Sequence, residues 1–127
     1  MKKAHASAFL ALVNTAKTRI VEIDVLALNV KLGANHPLYL LDVRETSEVL
    51  QSGLIPTALH LPKGIVERDI ERVITDFSAE IIVYCSGGFR SCLVVDNLRQ
   101  MGYQQAASLL GGYHAWLQMS VALKGSL

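Results

Sequence analysis

The sequence predicts an α/β domain with three layers, α/β/α, built on a mostly parallel sheet of about five strands. Three observations carry that expectation. Short apolar runs such as LYLLDV (38–43) and IIVY (81–84) alternate with helical patterns along the chain. Those runs are apolar on both faces, as strands covered by helices on both sides must be. At 127 residues, 51% of them hydrophobic and 18% charged, the chain can bury one core and is too apolar for disorder.

Taken in order, Phe9, Leu12, Val13 and Ala16 recur at helical spacing and place a first helix at about 8–17, with Ser7 as its cap. Two lysines before this apolar stretch loosely resemble a secretion signal. His5 interrupts the start and no cleavage site closes the pattern, so the segment reads as an amphipathic helix and the protein as cytoplasmic. A short strand is expected at 18–23. Asp24 caps a second helix and Gly33 ends it. The buried strand 38–43 follows, then a helix at 46–52 closed by Gly53. A strand at 58–61 is stopped by Pro62. Ile65, Ile70, Val73, Ile74 and Phe77 mark the dry side of a helix whose wet side holds Glu67, Arg68, Asp69, Glu71 and Arg72. The strand 81–84, a helix at 91–101 ended by Gly102, a strand at 106–109 and a last helix carrying Trp116 complete a single domain over 1–127.

Composition excludes several functions. A net charge of +1 gives no footing for a nucleic-acid surface. No apolar run approaches the length of a membrane span. The only cysteines, Cys85 and Cys92, are too few for a disulfide scaffold and too far apart for a zinc pair. A reduced, intracellular protein fits, and no histidine shows metal spacing.

The chemically loaded stretch is CSGGFRS, residues 85–91. It joins a buried strand to a helix, and parallel sheets bind ligands beyond the carboxyl ends of their strands. Ser86, Gly87, Gly88, Phe89, Arg90 and Ser91 form the connection. Adjacent glycines let such a loop aim several N–H groups at one point, making an anion nest. The helix start adds its positive end and Arg90 a permanent charge. All three favour negative charge at the centre, where Cys85 would act as a thiolate nucleophile without a histidine base. The bland alternative is a small buried cysteine that happens to end a strand.

These residues resemble a known family. CSGGFRS is similar to the active-site loop of rhodanese-like sulfurtransferases, with Cys85, Gly88, Arg90 and Ser91 in the matching positions. LLDVRETSEVLQSGLIPTALHLP resembles the family's first signature through Asp42, Val43, Arg44, Glu48, Gly53, Ile55, Pro56, Ala58 and Pro62, and LLGGYHAW resembles its closing Gly-Gly-x-x-Ala-Trp. The likeness spans about 18–118 and leaves the N-terminal helix, 1–17, outside it. It implies that the cysteine takes sulfur from a donor such as thiosulfate, holds it as a persulfide, and passes it to a thiol, cyanide or a protein acceptor. No metal or organic cofactor is implied. Four residues separate Cys85 from Arg90; related cysteine phosphatases carry one more, so the shorter loop favours sulfur over phosphate. A sulfur carrier or redox-sensing module is the alternative within the family.

Several positions depart from the pattern. Ser86 stands where thiosulfate-using members often have Arg or Lys, Phe89 replaces a commonly polar residue and is expected to be exposed, Leu54 replaces a histidine and Thr57 a glycine. Lys63 and Arg68 follow Pro62 in a segment that borders the pocket in this family, and are candidates for its rim. Asp42, Arg44 and Glu48 are expected to form a structural network, with Arg44 paired to Glu48. Cys92, His60 and His114 read as structural or surface residues.

Overall fold

The computed structural model describes residues 4–125. Five strands form one parallel sheet: β1 (Val21–Ile23), β2 (Tyr39–Asp42), β3 (Leu59–His60), β4 (Ile81–Tyr84) and β5 (Ala106–Leu109), in spatial order β1-β5-β4-β2-β3. Six α-helices connect and flank them: α1 (Ser7–Lys17), α2 (Val25–Gly33), α3 (Thr46–Ser52), α4 (Val66–Val73), α5 (Arg90–Met101) and α6 (Gly112–Gly125). None of the described helices is long and apolar enough to cross a membrane.

Alternation along the central strands divides the core in two. Leu41, Ile81 and Val83 face α4 and α5 and pack with Val66, Ile70, Val95 and Leu98. Leu40, Ile82 and Tyr84 face the other way, onto Leu28 of α2 and Tyr113 of α6. Every residue of β4 and β5 is buried, as strands covered by helices on both faces are. A third, smaller cluster of Val13, Ala16 and Cys92 seats α1 on α5.

The topology fixes where a ligand can enter. From β2 the chain moves through α3 outward to β3, whereas from β4 it moves through α5 in the opposite direction to β5. Neighbouring strands whose connections part in this way leave a crevice at their carboxyl ends. Residue 85 stands at that crevice.

The elements differ from expectation at several ends. Ala6, in extended conformation, occupies the N-cap of α1, and Ser7 is already helical without capping. His5, just before the N-cap, packs on Phe89, with ring centroids 4.3 Å apart. Residues 18–20 form a turn, leaving a three-residue β1. Asp24 does cap α2, accepting from the Ala27 N–H at 2.8 Å. Gly33 is that helix's last residue, and the left-handed conformation falls on Asn35 (φ 53°) instead. β3 spans only Leu59–His60. The helix expected to reach Phe77 begins as a single 3₁₀ turn at Lys63–Ile65 and stops at Val73. Ile74 is extended and its carbonyl accepts from the buried Tyr103 hydroxyl at 2.6 Å, a bond that one more helical turn would break. Phe77 lies beyond it, against the Tyr103 ring.

Thr57 has φ 73°, a left-handed angle that a β-branched residue adopts only at a cost. Thr57→Gly is therefore expected to stabilise the fold by about 1 kcal/mol, read as a raised midpoint in urea unfolding with an unchanged slope.

Candidate functional site

Cys85 follows β4 directly and is buried, 1% exposed. Its Sγ accepts from the backbone N–H of Gly88 at 3.3 Å and of Ser91 at 3.4 Å, and lies 3.5 Å from the Ser91 hydroxyl. The two amides come from the loop and from the first turn of α5, so a nest and a helix N-terminus converge on one sulfur. Gly88 makes this turn with φ 92°. A Cβ there would sit 2.9 Å from the Gly111 nitrogen, so the position demands glycine for space as well as for angle.

The other side of the loop is held by α6. The N–H of Tyr113 donates to the Cys85 carbonyl at 2.8 Å and that of His114 to the Ser86 carbonyl at 3.1 Å. With these two carbonyls fastened by α6, the N–H groups of Gly88 and Ser91 point at the sulfur. Gly112 (φ 57°) makes the close approach possible: a Cβ would collide with the Cys85 carbonyl oxygen and lie 2.8 Å from that of Ser86. This is the physical content of the Gly111-Gly112 pair.

Beneath the sulfur runs a buried polar chain. The Ser91 and Ser108 hydroxyls are 2.8 Å apart. Cys92 is fully buried and its thiol donates to the Gly88 carbonyl at 3.1 Å. Burial pushes the Cys92 thiol up from its ordinary value, which keeps it a protonated brace for the loop.

Arg90 stands near Cys85 and is shared with a carboxylate. Its two terminal nitrogens donate to the Glu48 carboxylate at 2.7 and 2.9 Å, and one also reaches the Ser86 hydroxyl at 3.2 Å. Ser86 in turn donates to Glu48 at 2.9 Å. The bonds to Arg90 hold the Glu48 carboxyl at about 2, below its ordinary 4.5. The guanidinium is raised, first by Glu48 and then by the nearby Cys85, against the cost of burial. Glu48, at N3 of α3, also accepts from the Glu45 N–H at 2.8 Å in a capping box, so the first turn of α3 is locked to the loop.

The expected Arg44–Glu48 pair is therefore corrected. Arg44 turns instead to Asp42, 2.7 Å away, with both side chains buried. It also donates to the Ser52 hydroxyl at 2.8 Å and the Gly53 carbonyl at 2.6 Å, and lies 4.2 Å from the Tyr113 ring centroid. His60 bonds the Arg44 carbonyl. This network ties the end of α3 to α6, because a buried charge survives only when every donor finds a partner.

A cavity of about 960 Å³ opens onto Cys85, bounded by the loop, by α6 and by the N-terminal residues His5 and Phe9. Lys63 and Arg68, expected at the rim, do not line it. They follow β3, the sheet edge opposite β1, and Arg68 is paired with Asp69 in solvent. Phe89 is half-buried against α1 rather than exposed. His114 is on the surface, as expected, but on the cavity wall. The sequence does not mark His5, Phe9, Gly112 or Ser108 as site residues. Only the Gly-Gly pair carried a local signal; the others are joined to the site through tertiary contacts.

The fold and this cysteine loop define a class. The chain belongs to the rhodanese-like domain family, whose model matches residues 24–119. YtwF of Bacillus subtilis is 37% identical over 97 residues, covering 76% of this chain and 90% of its own length. A protein named sulfurtransferase from Allochromatium vinosum is 34% identical over 95 residues, covering 75% of this chain and 86% of its own. Among solved structures, RPA3614 of Rhodopseudomonas palustris, described as a possible tyrosine phosphatase, superposes with a TM-score of 0.82 over 94% of this chain and 96% of its own, at 22% identity. That likeness concerns the fold alone.

Two outcomes follow from this geometry. Gly112→Ala is expected to cost on the order of 3 kcal/mol in chemical unfolding, whereas Gly64→Ala, where an added Cβ meets nothing within 4 Å, stays within about 0.5 kcal/mol. The Glu48 carboxyl is lowered on folding, so its contribution to stability is complete above its ordinary 4.5 and is lost as pH falls toward about 2. The difference in unfolding free energy between wild type and Glu48→Gln should hold steady near neutrality and close across that window.

Proposed function

We propose that this protein is a rhodanese-type sulfurtransferase that moves sulfane sulfur through a persulfide on Cys85. The observation that carries this reading is the sulfur's seat beneath two backbone N–H groups, at 3.3 and 3.4 Å. Such donors stabilise negative charge without needing a base. The relative named sulfurtransferase supports the same chemistry.

In the proposed cycle the Cys85 thiolate attacks the outer sulfur of a donor such as thiosulfate. A Cys85–S bond forms, the donor's S–S bond breaks, and sulfite leaves with the electron pair. The terminal sulfur of the persulfide then takes up the loop's remaining donors. An acceptor nucleophile attacks that terminal sulfur, and the electron pair of the broken S–S bond returns to Cys85. Cyanide leaves as thiocyanate and a thiol leaves as its persulfide. The cycle uses no metal or organic cofactor. Two unbridged cysteines suit a reducing compartment, the cytoplasm, where a thiolate persists.

Four residues between Cys85 and Arg90 argue against a phosphatase, since a phosphoryl group needs a wider ring of amides. Ser86 brings no cation to a sulfate-like dianion, and Arg90 is already shared with Glu48. Thiosulfate is therefore a slow donor in this reading.

Intact mass after incubation with thiosulfate tests the proposal. One sulfur atom should be gained, lost again on adding cyanide, and never gained by Cys85→Ala. Phosphate-ester hydrolysis without any sulfur adduct would sink it, and labelling without turnover would point to a carrier.

A further inference from the structure

The cavity over Cys85 has one wall that the family's matched segment, 24–119, does not supply. The segment leading into α1 lays His5 across Phe89 at 4.3 Å and against Phe9 at 5.4 Å. Phe89 is held from below by α1, with the Lys17 amine 5.7 Å from its ring centroid. Ala115 and His114 of α6 stand among the other lining residues.

We propose that this cavity receives a low-molecular-weight thiol with an apolar, uncharged body as the sulfur acceptor, and that the N-terminal wall selects it. The inference rests on the persulfide reading above and adds the substrate class. Three observations support it. At about 960 Å³ the cavity has the size of sites that enclose organic ligands, far more than cyanide or thiosulfate needs. Its walls include the rings of Phe9 and Phe89 and the methyl groups of Ala4, Ala6 and Ala115, which gain by excluding water from an apolar body. Among the described residues, the one lining side chain with a permanent positive charge, Arg90, gives both terminal nitrogens to Glu48. Lys17 is outside the lining and 3.7 Å from Glu22. Among the described residues, an anionic acceptor would thus lose hydration and find the one permanent cation of the lining already shared.

The transfer itself is balanced. The acceptor thiolate attacks the outer sulfur of the Cys85 persulfide, the S–S bond breaks, and its electron pair stays on Cys85 as the thiolate. The acceptor departs as R–S–SH, with no net oxidation.

The test loads the whole protein with inorganic polysulfide, removes the excess and verifies the adduct by intact mass. Discharge is then timed with phenylmethanethiol and with 2-mercaptoethanesulfonate at equal thiolate concentrations. The apolar thiol should react about ten- to a hundredfold faster. Phe9→Ala and His5→Ala should cut that ratio to within about threefold, while Leu12→Ala, on the exposed side of α1 at 62%, keeps it. Equal rates for the two thiols, or a ratio unmoved in Phe9→Ala, would overturn the selection proposal alone. Failure of Cys85 to take up sulfur would overturn the persulfide reading with it.

Discussion

The site depends on the direction of two carbonyl groups. The first N–H donors of α6 hold the carbonyls of Cys85 and Ser86, and the N–H groups of Gly88 and Ser91 point at the sulfur. A helix start has donors without partners in its own turn. Here one such start, that of α6, fastens the back of the loop while another, that of α5, faces the sulfur. Gly88 and Gly112 are the two points where this arrangement brings backbone against backbone too closely for any side chain.

Charge is distributed across the crevice rather than concentrated at the sulfur. Glu48 from the β2 side and Arg90 from the β4 side meet with Ser86 between them. The cation is shared between Glu48 and the neighbourhood of Cys85, while two backbone amides point at the sulfur itself. Asp42 and Arg44 form a separate buried unit that pins the end of α3 to α6 through Ser52, Gly53 and Tyr113. The two ion pairs differ in role: one closes the switch point, the other fixes the helices around it.

Much of the fold was legible because burial leaves local marks. β4 and β5 occur at the residues their apolar runs indicate, since both faces of a central strand are covered. Asp24 was readable as a cap because its partner is three residues away. α4 was overextended because the bond that stops it comes from Tyr103, on another element. The same distinction holds in the site. Cys85, Gly88, Arg90 and Ser91 lie within one short stretch, and strand, loop and helix start follow one another there without any tertiary information.

What the chain alone determined, then, is the class of fold and the identity of the cysteine loop, both written in residues a few positions apart. Tertiary structure decided who pairs with whom. Glu48 finds Arg90 forty-two positions on, Arg44 keeps Asp42 two positions back, and His5, before α1, packs on Phe89. Side-chain charge can be read from one residue, but the partner that satisfies it depends on how strand order folds distant segments together.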